Sequence, residues 1–175
     1  AVGIGAARCR SCGGPPPKDT LAPVRHLFVT QDYAPDLGGM ARRHVELCRR
    51  FAPESVIVST VASAGAPPFD RGEPYRIVRE PFAFAAAKRF SSQLTWSGHL
   101  ARLCRDGVDV VHLGNIRPCG YAVEIAMRRV PTPYLVYVNG GDLLRERQKT
   151  AESVAKRWSA RDIFGRAAGI VANSA

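Results

Sequence analysis

No stretch of this 175-residue chain approaches the roughly 20 consecutive apolar residues that a membrane-spanning helix needs. The N-terminus also lacks the continuous apolar segment of a secretory signal. These two absences make the cytoplasm the expected compartment. Histidine is scarce, with four residues. No two of them stand at metal-ligand spacing, and none is joined to a recognisable Ser or Cys nucleophile motif, so no metal centre and no hydrolase triad is expected. Of the five cysteines, Cys9 and Cys12 have metal or redox spacing but no second pair to complete a site. Cys48 and Cys104 fall on the apolar faces of expected helices and read as small hydrophobes, while Cys119 is left open. No G-x-G-x-x-G follows a strand, and the second expected strand ends in Ser59-Thr60 without an acidic residue for a ribose. A dinucleotide-dependent oxidoreductase is therefore disfavoured. The aromatics Phe82, Phe84, Phe90 and Trp96 are not interleaved with charge in a nucleic-acid motif, so no nucleic-acid partner is expected.

Acidic residues are the other shortage: 15 against 25 Lys and Arg, for a net charge of +10. Residues 1–22 hold three cations and one anion, so most of the excess lies in the remainder of the chain. It suits acidic ligands, an anionic membrane surface or nucleic acid without choosing among them. The first 22 residues include Gly13-Gly14-Pro15-Pro16-Pro17 and are expected to form a disordered tail. The chain begins with Ala, which suggests a fragment or a processed product.

The stretch from Val24 to Phe51 reads as strand, glycine turn and helix. Val24 to Thr30 is rich in apolar and β-branched residues, as in a strand buried on both faces. Ala34-Pro35-Asp36-Leu37-Gly38-Gly39 forms the turn. From Met40 the apolar positions Met40, His44, Leu47, Cys48 and Phe51 recur at helical spacing, with termination before Pro53. A helix opening at a glycine turn points unpaired N–H groups and the positive end of its dipole outward, where anions bind. Arg42 and Arg43 lie just inside it, and one or the other is expected to meet phosphate. His44, one turn in, is the histidine best placed for a cleft.

Further strands are expected at Ser55–Val61, Tyr75–Val78, Val108–Leu113, Tyr134–Val138 and Ala168–Ala172. A turn-rich connection occupies Ala64–Pro68. Helices are expected toward Asp106, with Leu94, Leu100, Leu103 and Cys104 on one face, over Pro118–Arg129, and from about Leu143 to Phe164. This alternation predicts an α/β fold, a Rossmann-like doubly wound parallel sheet with its ligand cleft at the carboxyl ends of the strands. Small and amide-bearing residues collect at those ends: Gly38-Gly39, Gly114-Asn115, Asn139-Gly140-Gly141-Asp142 and Asn173-Ser174. Together they point to a polar binding site for hydroxyl-rich molecules.

The segments Asp36–Leu47, Asp109–Leu113, Pro133–Leu143 and Ile170–Ser174, in this order and spacing, resemble the amino-terminal half of a family 4 glycosyltransferase of the GT-B type. The resemblance runs from about Val24 to the last residue. It implies that residues 23–175 form the acceptor-side Rossmann-like domain, and that a carboxyl-terminal nucleotide-sugar domain is absent from this chain. It further implies retaining transfer of a sugar from a nucleotide-sugar donor to a glycan or lipid-linked acceptor. The nucleotide-sugar is then a co-substrate, with no cofactor and no essential metal. The resemblance puts Asn139 and Asp142 in catalytic positions. It puts Gly38, Gly39, Arg42, Arg43, His44, Asn115, Gly140, Gly141, Asn173 and Ser174 against substrate. Where the family commonly has His after the fifth strand this chain has Asn139, whose amide orients a hydroxyl but does not titrate near neutral pH. The isolated chain is expected to be inactive, since half a cleft does not position donor against acceptor. The segment Phe82–Phe90 mixes apolar and basic side chains and allows peripheral membrane contact. The competing reading is a non-catalytic basic module for an anionic or glycan ligand.

Overall fold

The computed structural model describes residues 23–172. The expected tail at residues 1–22, with Cys9 and Cys12, and the candidate residues Asn173 and Ser174 lie outside the described residues.

Six strands, β1 (His26–Val29), β2 (Val56–Ala62), β3 (Arg76–Ala83), β4 (Val110–Leu113), β5 (Tyr134–Val138) and β6 (Gly169–Ala172), pair in the order β3-β2-β1-β4-β5-β6. Every pairing is parallel, with His26 opposite both Val56 and Val110. This is the doubly wound Rossmann-like arrangement expected from the sequence. Alternate residues of each strand serve opposite layers. Leu27 and Val29 join Trp96 and Leu100 of one core, whereas Phe28 joins Val45 and Cys48 of the other.

The helices are α1 (Gly39–Cys48), α2 (Ala66–Gly72), α3 (Phe84–Ala87), α4 (Phe90–Arg105), α5 (Cys119–Arg129), α6 (Gly140–Glu152) and α7 (Val154–Gly165). α1 covers one face through Ala41, His44, Val45 and Cys48. α4 and α5 cover the other, with Ile163 of α7 reaching the same core. Gly107, at φ 97°, follows α4 in the left-handed region, where a residue without Cβ ends a helix at least cost.

Several boundaries differ from expectation. β1 is shorter than Val24–Thr30 because Thr30 has already turned its hydroxyl to the strand-end network described below. α1 stops at Cys48, and Phe51 lies beyond it against His26 and Phe28. The supposed turn at Ala64–Pro68 leads into α2, since Pro67 and Pro68 occupy first-turn positions where no N–H is needed. β3 starts after Tyr75 and continues to Ala83. In α4, Leu94 is exposed and Trp96 takes the core position, its Nε1 donating to Ser59 Oγ at 2.8 Å. The long helix expected from Leu143 to Phe164 begins earlier, at Gly140, and is two helices. Ser153 between them is extended (φ −146°, ψ 122°) and caps α7 by accepting from Lys156 N.

Candidate functional site

The order of the sheet reverses between β1 and β4, so the chain leaves the sheet in opposite directions there and opens a crevice above the strand ends. β1 runs out through Thr30-Gln31-Asp32 and β4 through Gly114-Asn115. Asn115, 1% exposed, joins the two sides. Its Oδ1 accepts from the Thr30 hydroxyl at 2.6 Å and from the Gln31 amide at 3.3 Å, and its Nδ2 donates to Asp32 Oδ2 at 2.8 Å. Both ends of the amide are taken by protein partners, so Asn115 positions Asp32. Burial raises the Asp32 carboxyl above its ordinary range, opposed by the hydrogen bond from Asn115.

His44 supports the same corner from α1. Its Nδ1 lies 3.1 Å from both the Asp32 carbonyl oxygen and Thr30 Oγ1. A carbonyl only accepts, so Nδ1 carries the proton. Burial lowers the pKa of the ring, which is 2% exposed, and the neutral form is the resident one. Nε2 is left as a buried lone pair without a hydrogen-bond partner. Gly114 makes this approach possible: a Cβ there would stand 2.8 Å from Cε1 and Nε2 of His44 and 3.1 Å from Thr30 Cβ. His44 thus braces the floor and is absent from the lining of the open cleft.

Gly38 caps α1, and a Cβ at either Gly38 or Gly39 would meet nothing within 4 Å. The first-turn N–H groups of α1 therefore face open space beside the crevice. Of the two candidate arginines, Arg42 is exposed, whereas Arg43 turns inward. Arg43 Nη1 donates to Asn139 Oδ1 at 2.6 Å, and its guanidinium carbon sits 5.7 Å from the centroid of the Tyr137 ring. Asn139 Nδ2 donates to Asp142 Oδ2 at 3.3 Å. Asn139 is the N-cap residue of α6, so Gly140 and Gly141 belong to its first turn and not to a loop. Arg43, Asn139 and Asp142 form one linked group at the end of β5.

The strand-end carboxylates open onto a cleft of about 380 Å³. Its lining includes Asp32, Asp142, Met40, Phe84, Arg117 and Tyr121. The structure brings Asn139 and Asp142 together with Arg43, and Asn115 with Asp32. Arg42 borders a second, more open depression with Gly38 and Gly39, and the two glycines also line a third one together with Asp32 and Met40. Sequence reasoning missed Thr30, Gln31 and Asp32, although they follow β1 directly. It also missed Arg117 and Glu146, whose side chains pair between the start of α5 and α6. The signal available was a polar triplet at the end of a strand, without the glycines that mark the other strand ends.

Among the described residues no group of three or more His, Cys, Asp or Glu side chains is close enough to hold a metal ion. Cys48, Cys104 and Cys119 are free and buried. Burial raises the Cys48 thiol to about 12, so it is no nucleophile near neutral pH.

No individually curated protein matches the chain. The model of Glycosyltransferase Family 4 matches residues 37–175. That match begins at the loop before α1 and takes in α1, the ends of β4 and β5, and α6, the elements that build the crevice. With a parallel six-stranded sheet and a polar crevice at its carboxyl edge, the chain belongs to glycosyltransferase family 4.

Proposed function

We propose that this domain is the acceptor side of a GT-B glycosyltransferase, which moves a sugar from a nucleotide-sugar to a hydroxyl of a polar acceptor with retention of anomeric configuration. The bond from the anomeric carbon to the nucleotide phosphate breaks, and a bond to the acceptor oxygen forms. The acceptor's proton leaves with the nucleotide. The observation that carries the reading is the meeting of Asp32 and Asp142 in the lining of one cleft, with Asn139 hydrogen-bonded to Asp142 and the open N-terminus of α1 beside Asp32. Carboxylates accept from acceptor hydroxyls and fix their direction. Exposed helix N–H groups and the Arg43 cation favour the negative charge of a leaving nucleotide. Asn139, held by Arg43, orients Asp142. The remaining half of the site comes from a second domain, and this chain alone is inactive.

Three free, buried thiols support a reducing compartment such as the cytoplasm. Phe84 and Phe90, 43% and 71% exposed, flank the exposed Lys88 and Arg89 and support peripheral contact with an anionic membrane. Flotation with anionic vesicles tests that contact, and no co-migration would end it.

The decisive experiment begins with the coding DNA beyond the Ala175 codon. An in-frame second α/β domain with two glutamates separated by seven residues supports the transferase, and the whole reading frame is then assayed for sugar transfer by NMR of the product anomer. A stop codon directly after Ala175 turns the reading toward a non-catalytic acceptor-binding protein. Turnover by the present chain refutes its inactivity.

A further inference from the structure

The linked group of Arg43, Asn139 and Asp142 is joined to a buried chain of rings on the α1 side of the sheet. His26 opens β1 and is half-buried, while His112 of β4 and Tyr137 of β5 are 4% and 8% exposed. His26 Nδ1 lies 2.9 Å from His112 Nε2, and His112 Nδ1 lies 3.0 Å from the Tyr137 hydroxyl. Arg43 lies over the Tyr137 ring and holds Asn139, which in turn donates to Asp142. Phe28 stacks on His112 and Phe51 packs against His26, which fixes both rings in the layer.

The chemistry of imidazole makes these contacts depend on one another. A neutral ring has one N–H and one lone pair, so the two hydrogen bonds of His112 run in the same direction along the chain. Tyr137 decides the direction. Among the described residues its hydroxyl has no acceptor other than His112 Nδ1, and a buried O–H left without one is costly. The hydroxyl therefore donates to His112 Nδ1, His112 Nε2 donates to His26 Nδ1, and the proton of His26 stands on Nε2. A proton taken up by the pair reverses both bonds. The cation falls on His26, the less buried ring, beside Asp109 just before β4. His26 Nδ1 then donates to His112 Nε2, and the single proton of His112 stands on Nδ1 and is donated to the phenolic oxygen. One proton enters in all, and Tyr137 stays a neutral phenol whose O–H has lost its acceptor. Burial of both rings opposes this uptake and keeps the pair neutral near pH 7. Arg43 and Cys48 of α1 are the other titratable groups that face the chain, both beside Tyr137.

We propose that His112 and Tyr137 are positioning residues for Asn139 and Asp142, and that proton uptake at His26 reaches the site by reversing their hydrogen bonds and loosening Arg43 from Asn139. The Tyr137 hydroxyl must turn, or its ring shift, to find a new acceptor, and the Arg43 guanidinium rests on that ring. Asn139 then loses the donor that fixes its Oδ1, and with it the orientation of its bond to Asp142. That the group so held meets substrate rests on the transferase reading; the linkage itself does not.

The test follows the imidazole nitrogen resonances of His26 and His112, Arg43 Nε and the Asn139 side-chain amide by NMR of the folded chain from pH 7 down to about 4.5. At pH 7 we expect His112 to carry its proton on Nε2 alone. On acidification that proton should pass to Nδ1 as His26 gains charge, and Arg43 and Asn139 should shift with the same midpoint. Tyr137→Phe keeps the ring beneath Arg43 and removes the hydroxyl. It should leave the charging of His26 observable and abolish most of the shift at Arg43 and Asn139. His112→Phe, which keeps the stack on Phe28, should uncouple the two ends in the same way. A shift at Asn139 that survives in both variants comes from the carboxylates of the site and overturns the proposal. A His112 proton on Nδ1 at pH 7, or Arg43 and Asn139 signals that ignore the His26 midpoint, also overturns it. In the whole reading frame, sugar transfer with one and the same pH profile for wild type and Tyr137→Phe would sink this proposal alone. The linkage observed without any transfer by the whole reading frame would sink the transferase reading alone.

Discussion

Arg117 and Glu146 meet between the start of α5 and α6 as a two-pronged pair, with Nε 2.7 and 2.9 Å from the carboxylate oxygens and the two side chains 8% and 7% exposed. Arg117 Nη2 also donates to the Lys156 carbonyl at 2.8 Å, which ties the start of α7 to the same point. The pair ties α6 to the start of α5 along the lining of the cleft. Leaving one buried charge without its partner costs far more than the pair itself contributes. Glu146→Ala is therefore expected to lower stability by about 3–5 kcal/mol, and Arg117→Met with Glu146→Leu to recover most of that loss. Urea unfolding of the single and double variants checks it. A single variant within about 0.5 kcal/mol of wild type would mean that the pair is not buried as described.

The contact of Gly114 with the His44 ring predicts a coupled pair of substitutions. A methyl at position 114 would stand 2.8 Å from two ring atoms, so Gly114→Ala should cost roughly 1–3 kcal/mol through overpacking. His44→Ala removes the ring and the hydrogen bond to the Asp32 carbonyl, and should cost a similar amount. In the double variant the methyl enters the space left by the ring, and the loss should fall short of the sum by at least about 1 kcal/mol. Additive losses in chemical denaturation would show that the ring is not what excludes the methyl.

Much of this architecture was legible in the sequence. The runs that became β1, β2, β4 and β5 are apolar and β-branched enough to admit no other reading, and their alternation with amphipathic stretches names a doubly wound sheet. What the sequence hid was chiefly local competition. Pro67 and Pro68 read as turn residues, but a first helical turn has no use for their missing N–H groups. Ser153 is one more polar residue within a polar stretch, and only its extended backbone and its cap to Lys156 break the helix. At the site, the residues that make turns were visible because their chemistry is unusual: Gly38, Gly39 and Asn139. Asp32 and the Arg117–Glu146 pair were not, since their meaning comes from neighbours 83 and 29 positions away.

Arg42 and Arg43 are adjacent in sequence and unlike in structure, which gives a direct comparison. Arg43 holds Asn139 at 2.6 Å and lies over Tyr137. Arg43→Ala should lower stability by about 1–2 kcal/mol, and it frees Asn139 from its position against Asp142. Arg42 is exposed, and Arg42→Ala should change stability by less than about 0.5 kcal/mol. Equal effects in urea titrations would remove the Arg43–Asn139 link from the account of the site.

His112 predicts how stability responds to acid. Its ring stacks on Phe28 with centroids 4.2 Å apart and planes 10° from parallel. One ring nitrogen lies 2.9 Å from His26 Nδ1 and the other 3.0 Å from the Tyr137 hydroxyl, beyond which Arg43 lies over the Tyr137 ring. Burial, with the nearby His26 adding to it, lowers the His112 pKa to about 4 from 6.5. Between those values the unfolded chain takes up a proton that the folded chain refuses. Stability is thus complete above about pH 6.5 and falls as the pH drops toward 4, by about 3 kcal/mol for this one residue. His26 and His44, also lowered mainly by burial, act with the same sign. Asp32 and Glu80 are raised by burial and act oppositely, adding stability that fades as the pH rises through their folded values. His112→Phe keeps the stack and removes the titration. Its unfolding free energy should therefore change less between pH 7 and about 4.5 than that of the wild type. Parallel curves for the two proteins would place the acid-labile group elsewhere.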